Sequence, residues 1–239
     1  MLTDNGQKMV LTAANGAPVT VRLEINPKAR RLILRLDERA REAVAIAPTR
    51  RELKAAAQFA CERVDWIADR LETLPRNQPL VNGAMIPLRG EPCRLTLHGK
   101  GRIARLLTEP DMHICVPGDA STFGARVERY LKRAATSDLG DAVDRHCATL
   151  GVEAARISVK DTRSRWGSCT ADGRLSFSWR LVLAPPDVLD YVAAHECAHL
   201  IEMNHSPAFW AHVARCRPDW KQQRNWLRSH GRALHAIGA

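Results

Sequence analysis

The run His195-Glu196-Cys197-Ala198-His199 sets two imidazoles four residues apart, with a carboxylate beside the first. Four residues are slightly more than one helical turn, so on a helix both rings point the same way and can grip one metal ion. Imidazole suits Zn²⁺, and Glu196 is placed to act as general base on a water held by that ion. His205, six residues after His199, is the candidate third ligand, reached once the helix has ended. Three protein ligands and one open position make a catalytic zinc site, whereas structural sites are closed. The expected cofactor is therefore one Zn²⁺ per chain, held by His195, His199 and His205.

The chemistry of such a site is hydrolysis. Zinc lowers the pKa of its bound water to about 7, and Glu196 takes the remaining proton. The hydroxide attacks a carbonyl polarised by the same ion, and Glu196 passes its proton to the leaving amine. Glu202 is the alternative third ligand, since carboxylates also bind zinc. In the related pattern with the same spacing, a glycine stands at the position of Glu202 and lets the chain turn sharply. Here Asn204, which tolerates a left-handed backbone, is expected to make that turn. A coincidental pair of core histidines and a surface His205 are the competing readings. His212, on the next helix, has the chemistry to donate to an oxyanion, but a supporting or surface role competes.

Several elements must position these groups. Pro185-Pro186-Asp187 opens the helix that carries the histidines, and Asp187 and Asp190 complement its dipole. Val188, Tyr191 and Val192 share the flank of His195 and His199, so the ligand side is partly apolar. Before that helix, residues 174–183 alternate through Leu175, Phe177, Trp179, Leu181 and Leu183, which reads as a strand. Ile157-Ser158-Val159 starts another, and Asp172-Gly173 is a hairpin turn signal. Two further helices are expected near 206–216 and 218–235. Residues 122–150 read as a helix through Val127, Tyr130, Leu131, Ala134 and Leu139, ended by Gly151.

The first half is richer in strand signals. Val19, Val21, Leu23 and Ile25 alternate up to Asn26-Pro27, Leu32, Leu34 and Leu36 alternate again, and Val44-Ala45-Ile46 offers a further pairing segment. Pro48-Thr49 opens a helix of about 25 residues that should end near Pro75. Residues 80–117 return to short strands punctuated by Asn82-Gly83, Gly90, Gly99-Lys100-Gly101 and Pro117-Gly118. The expected layout is α+β: a β-rich region over 1–118 with one long helix, then a mostly helical domain over 119–239 with a small antiparallel sheet. No internal repeat or low-complexity stretch is visible.

Composition bounds the partners. With 36 Lys and Arg against 26 Asp and Glu, the 239-residue chain carries a net charge of +10. That basic balance suits nucleic acid, nucleotides or an acidic protein surface, and equally a plain solvated basic surface. Arg217, Lys221, Arg224, Arg228 and Arg232 recur every three or four residues as a basic stripe, and arginines also cluster at 30, 31, 35, 39 and 41. The seven cysteines are odd in number and contain no Cys-x-x-Cys pair, which fits reduced thiols and a cytoplasmic protein. The first residues, Met1 to Gly6, do not read as a signal peptide, and no apolar run is long enough to cross a bilayer.

Four segments together carry a resemblance: Arg165-Trp166-Gly167-Ser168-Cys169; Trp179 through Pro186; Asp190-Tyr191-Val192-Ala193-Ala194-His195-Glu196; and Asn204-His205-Ser206-Pro207-Ala208-Phe209-Trp210. They resemble the YgjP-like metallopeptidase family, relatives of the SprT-like and WLM zinc proteases, most densely over residues 157–230. The resemblance implies a zincin-type core, a small sheet over an active-site helix, with His195, His199 and His205 as ligands and Glu196 as base. Cys197 stands where the family more often has an aliphatic residue, and as a small hydrophobe it should pack equally well. The strand around Trp166 to Cys169 would lie along the cleft, where an edge strand can pair with an extended peptide; packing of Trp166 under the helix is the plainer role. The function this favours is zinc-dependent peptide hydrolysis on a peptide or protein substrate. A metal-dependent phosphohydrolase of nucleoside triphosphates, and a nucleic-acid-associated module with structural zinc, are the alternatives; a phosphate-binding glycine loop is missing for the first of them.

Overall fold

The computed structural model describes residues 4–38, 40–99, 101–162 and 165–238. Arg39, Lys100 and the first three residues, which figure in the expectations above, lie outside that set, as do Arg163, Ser164 and Ala239. The fold is α+β, and the chain forms two compact units, Met1–Arg76 and Asn77–Ala239. The boundary is at 76/77 rather than at 118, because the strands of residues 85–117 share their core with the long helix that follows.

In the first unit, β1 (Lys8–Thr12), β2 (Pro18–Ile25), β3 (Ile33–Asp37) and β4 (Glu42–Ala47) form one sheet in the order β1-β2-β4-β3. The strand β1 went unread in the sequence. The segments on either side of Asn26-Pro27 do not pair as a hairpin: β2 runs parallel to β4, and β3 closes the edge antiparallel to β4. The single helix expected after Pro48 is two, α1 (Leu53–Cys61) and α2 (Val64–Glu72). Leu53, Ala60 and Ile67 are buried at seven-residue steps across the break, so the apolar period passes through it without a signal. Arg41 is not a free cation: its guanidinium donates to the carbonyls of Leu71, Leu74 and Pro75, at and just past the end of α2. Glu42 is buried, with Lys8 at 2.7 Å and Arg22 at 2.8 Å.

The second unit begins with β5 (Met85–Leu88), β6 (Glu91–His98), β7 (Arg105–Leu107) and β8 (His113–Pro117), in the order β5-β6-β8-β7. This repeats the first sheet strand for strand: antiparallel, parallel, antiparallel. No residue pattern repeats with it. The sheet is covered by α3 (Ala120–Leu150), a helix of 31 residues. Asp119 caps its start by accepting from Thr122 N, and Gly151 ends it in the left-handed conformation, φ 73°. Phe123, Val127, Leu131, Ala135, Leu139 and Ala142 form its buried stripe.

Next come β9 (Arg156–Lys160), β10 (Gly167–Cys169) and β11 (Arg174–Ser178), in the order β10-β11-β9. The Asp172-Gly173 turn joins β10 to β11 antiparallel, as the turn signal requires, but β9 pairs with β11 in parallel, so this sheet is mixed. The strand expected to reach 183 ends at Ser178, and Trp179–Leu183 form a 3-10 turn. Arg180 explains the change. It is fully buried, and the turn delivers its guanidinium to Asp161 and to the carbonyls of Ile237 and Gly238. Then follow α4 (Pro186–Ala198), α5 (Pro207–Cys216) and α6 (Trp220–His235). No helix is long and apolar enough to cross a membrane.

Candidate metal centre

The helix α4 is buried on nearly every side, its polar Asp190 and Glu196 included. Val188, Tyr191 and Val192 lie inside, and Cys197 is core as expected, its Sγ 3.8 Å from Cys147 Sγ on α3. Asp190 pins the helix. Its carboxylate accepts from Arg145 at 2.8 Å and from Arg217 at 3.0 Å, and His146 Nε2 stands 3.0 Å away. Burial pushes its pKa up, but His146, Arg145 and Arg217 outweigh it and bring the group down to about 2. Arg217, read as the head of a basic stripe, is thus taken by acids: Asp187, Asp190 and Asp219.

His199 is the residue at which α4 ends, still in helical conformation at φ −67° and ψ −17°. The chain then turns through Leu200 to Asn204. The turn needs no left-handed residue at Asn204, which is not among the positive-φ positions. Glu202 supplies it instead: its backbone N bonds to Ala198 O, and its side chain accepts from Asn204 N at 3.2 Å. Glu202 spends its carboxylate on that turn and does not join the histidine cluster. Ser206 then caps α5, and Pro207 suits the first turn.

This brings His195, His199 and His205 together. Their ring centroids lie 4.9, 4.8 and 5.1 Å apart, nearly an equilateral triangle. Phe209, fully buried on α5, sits 4.8, 4.5 and 4.7 Å from the three rings and forms their common apolar floor. Sequence reasoning gave Phe209 no role; its place four residues after His205, just inside a capped helix start, was the available signal. His205 Nε2 and His195 Nε2 face each other at 3.2 Å. Two nitrogens each about 2.1 Å from one ion at a tetrahedral angle would sit about 3.4 Å apart, so the pair has the spacing of shared coordination. His199 Nδ1 lies 3.0 Å from the Glu202 carbonyl; donating there leaves Nε2 free as the binding atom. His195 Nδ1 is buried without a partner, so packing against Tyr191, Phe209 and Trp210 orients that ring. Burial, then the neighbouring His199 and His205, bring His195 down to about 3, which keeps it neutral as a metal ligand must be.

Glu196 points the other way from Cys197 and is 5% exposed. The strand β10 lies across it. A Cβ on Gly167 would fall 2.4 Å from Glu196 Oε1 and 2.7 Å from Cδ, so only glycine leaves room for the carboxyl. Burial pushes Glu196 up to about 8, opposed by the charge of Arg165. The Trp166–Cys169 segment thus lies against Glu196 at Gly167, and β10 is an edge strand. Trp166 itself is packed against the core of this unit. It stacks on His235 at 4.1 Å and abuts Gly231, both on α6. His212 is half-buried on α5 and touches none of the three rings among the described residues. On the rim, Trp210 stacks on Trp220 at 4.1 Å, and Arg224 lies over Trp210.

The family model described as YgjP-like, metallopeptidase domain, matches residues 30–230. A solved structure, the metallopeptidase zymogen of Pyrococcus abyssi abylysin, is similar over 38% of this chain and 92% of its own, at 18% identity and a TM-score of 0.36. Among curated proteins, none matches.

Proposed function

We propose, since this chain belongs to the YgjP-like metallopeptidase family, that it hydrolyses peptide bonds with one zinc ion held by His195, His199 and His205. The observation that carries this is the histidine triangle, with two Nε2 atoms 3.2 Å apart beside a buried glutamate one residue away. Imidazole nitrogens are donors of the kind zinc takes, and three of them would leave a coordination position open. When bound, the ion supplies Lewis acidity to the scissile carbonyl and to the attacking water.

The remaining work belongs to side chains. Glu196 accepts a proton from the attacking water and returns it to the amine nitrogen as the C–N bond breaks, giving a carboxylate and an amine. Gly167 and β10 hold Glu196 against the helix and keep bulk water from it, which is why its affinity for a proton is raised. Phe209 dries the floor, and the Glu202 carbonyl fixes the ring of His199. The free edge of β10 offers backbone pairing to an extended substrate.

Metal analysis and a side-by-side assay of peptides and nucleoside triphosphates test the proposal. One zinc per chain, peptide cleavage, and loss of cleavage in Glu196→Gln with zinc retained are expected. Nucleotide hydrolysis without peptide cleavage, or full activity in Glu196→Gln, would refute it.

A further inference from the structure

Arg224 on α6 holds its guanidinium 5.1 Å from the ring centroid of Trp210. Trp210 lies 5.8 Å from both His195 and His205. The arrangement is built from both sides, because Trp220, one helical turn before Arg224, stacks flat on Trp210 at 4.1 Å and 16°. Three other arginines of this unit are consumed by the fold. Arg217 meets three aspartates, Arg180 meets Asp161 and two carbonyls, and Arg89 pairs with Asp138 at 2.8 Å. Arg224 is exposed, and among the described residues it forms no hydrogen bond or ion pair, only the ring contact. Its position is therefore fixed by aromatic packing while its donors stay free, at the edge of the histidine triangle. A guanidinium fork with free donors matches a carboxylate in two parallel hydrogen bonds.

We infer that Arg224, set on the Trp210–Trp220 stack, is a subsite for a carboxylate of the substrate, so that the enzyme favours peptides with an acidic side chain or a free C-terminus close to the cleaved bond. This rests on the peptidase reading of the same site. A nucleic-acid backbone fits less well. It needs a row of cations, and the α6 stripe loses its first member, Arg217, to three aspartates. The charge of Arg224 also reaches inward, where it opposes the burial that raises Tyr191 to about 12.

Paired peptides test the inference. They are identical except for Glu or Gln at each position around the cleaved bond, and each is made with a free or an amidated C-terminus. For zinc-loaded wild type, one acidic member should exceed its amide partner about tenfold in kcat/KM. The side-chain and terminal series show which carboxylate is read. Arg224→Gln should bring that ratio to about one, and Arg224→Lys should leave it intermediate. The same peptides are titrated into zinc-loaded Glu196→Gln, followed by tryptophan fluorescence from the Trp210–Trp220 stack, so that binding is read without turnover. Equal affinity within every pair, or a preference that survives Arg224→Gln, overturns the subsite. Arg224-dependent binding of a single-stranded oligonucleotide, with no Glu-over-Gln preference, overturns it too and assigns the residue to phosphate. An acidic preference in binding that follows Arg224, with no peptide cleaved, upholds the subsite and removes the peptidase reading instead.

Discussion

Glu42 and Glu196 are buried to the same degree, at 3% and 5% exposure, one in each unit, and they end in opposite states. Burial drives both toward the protonated form. Glu42 is drawn below its ordinary pKa nonetheless, because hydrogen bonds and charge from Lys8 and Arg22 outweigh the burial. Glu196 has no such bond among the described residues, only the distant charge of Arg165, and is pushed up to about 8. Burial raises a carboxylate's pKa and cation partners lower it, so the balance between them fixes the direction. A structural glutamate is one whose charge has been answered. A base is one left unanswered beside the place where a cation can bind, and a divalent ion there inverts the local balance.

The largest effect expected is at the unanswered residue. Glu196→Gln should lower peptide hydrolysis by about 10²–10⁴-fold while zinc content holds, because only the proton acceptor is removed. Equal loss of zinc would mean that Glu196 helps to hold the metal and would dissolve the contrast with Glu42. Asp190 sharpens the comparison, being an answered acid in the same helix as Glu196. Asp190→Asn should cost about 2 kcal/mol in urea unfolding, since Arg145, His146 and Arg217 all lose the charged acceptor they share, although Arg217 keeps Asp187 and Asp219. The pH dependence has a definite sign. A folded pKa of about 2 lies below the unfolded value, so the stabilisation is complete above about pH 4 and disappears as pH falls toward 2. Wild type and Asp190→Asn should converge in that window, and a constant gap would contradict the assignment.

Gly167→Ala comes next. The added methyl collides with the carboxyl of Glu196, and a displaced base should cost about ten- to thirtyfold in kcat/KM with zinc retained. An unchanged rate would show that β10 does not set the base. The smallest effect belongs to the first unit: Glu42→Gln should cost about 1 kcal/mol in stability, leaving zinc binding and hydrolysis as they were. Lost hydrolysis in that variant would break the division of roles between the two glutamates.

The sequence carried the histidine geometry well, because four-residue spacing on a helix is a local property. The Asp172-Gly173 turn and the long helix closed by Gly151 were legible for the same reason. What failed was decided by distant partners. The alternation from Leu175 to Leu183 could not show that Arg180 must reach Asp161 and the end of the chain, which bends the segment into a 3-10 turn. The antiparallel sheet became mixed because β9 finds β11 rather than its neighbour in sequence. The duplicated strand order of the two four-stranded sheets lies in hydrogen-bond pairing, which tolerates unrelated residues. At the site, Asn204 suggested a left-handed turn, whereas Glu202 makes it with a side-chain acceptor. Gly167 gave no hint that its missing side chain is where Glu196 lies.

The helix α3 packs on β6 and β8 at one level and on β9, α4 and α5 at others. With 31 residues it extends about 46 Å. A sheet without chemistry and a helix bearing histidines therefore lean on the same rod. Opening either one would strip α3 of buried apolar surface, so the second unit is expected to open as one cooperative block, and amide exchange of α4 should then track its global unfolding. The histidine triangle would then owe part of its hold to strands on the far stretch of α3.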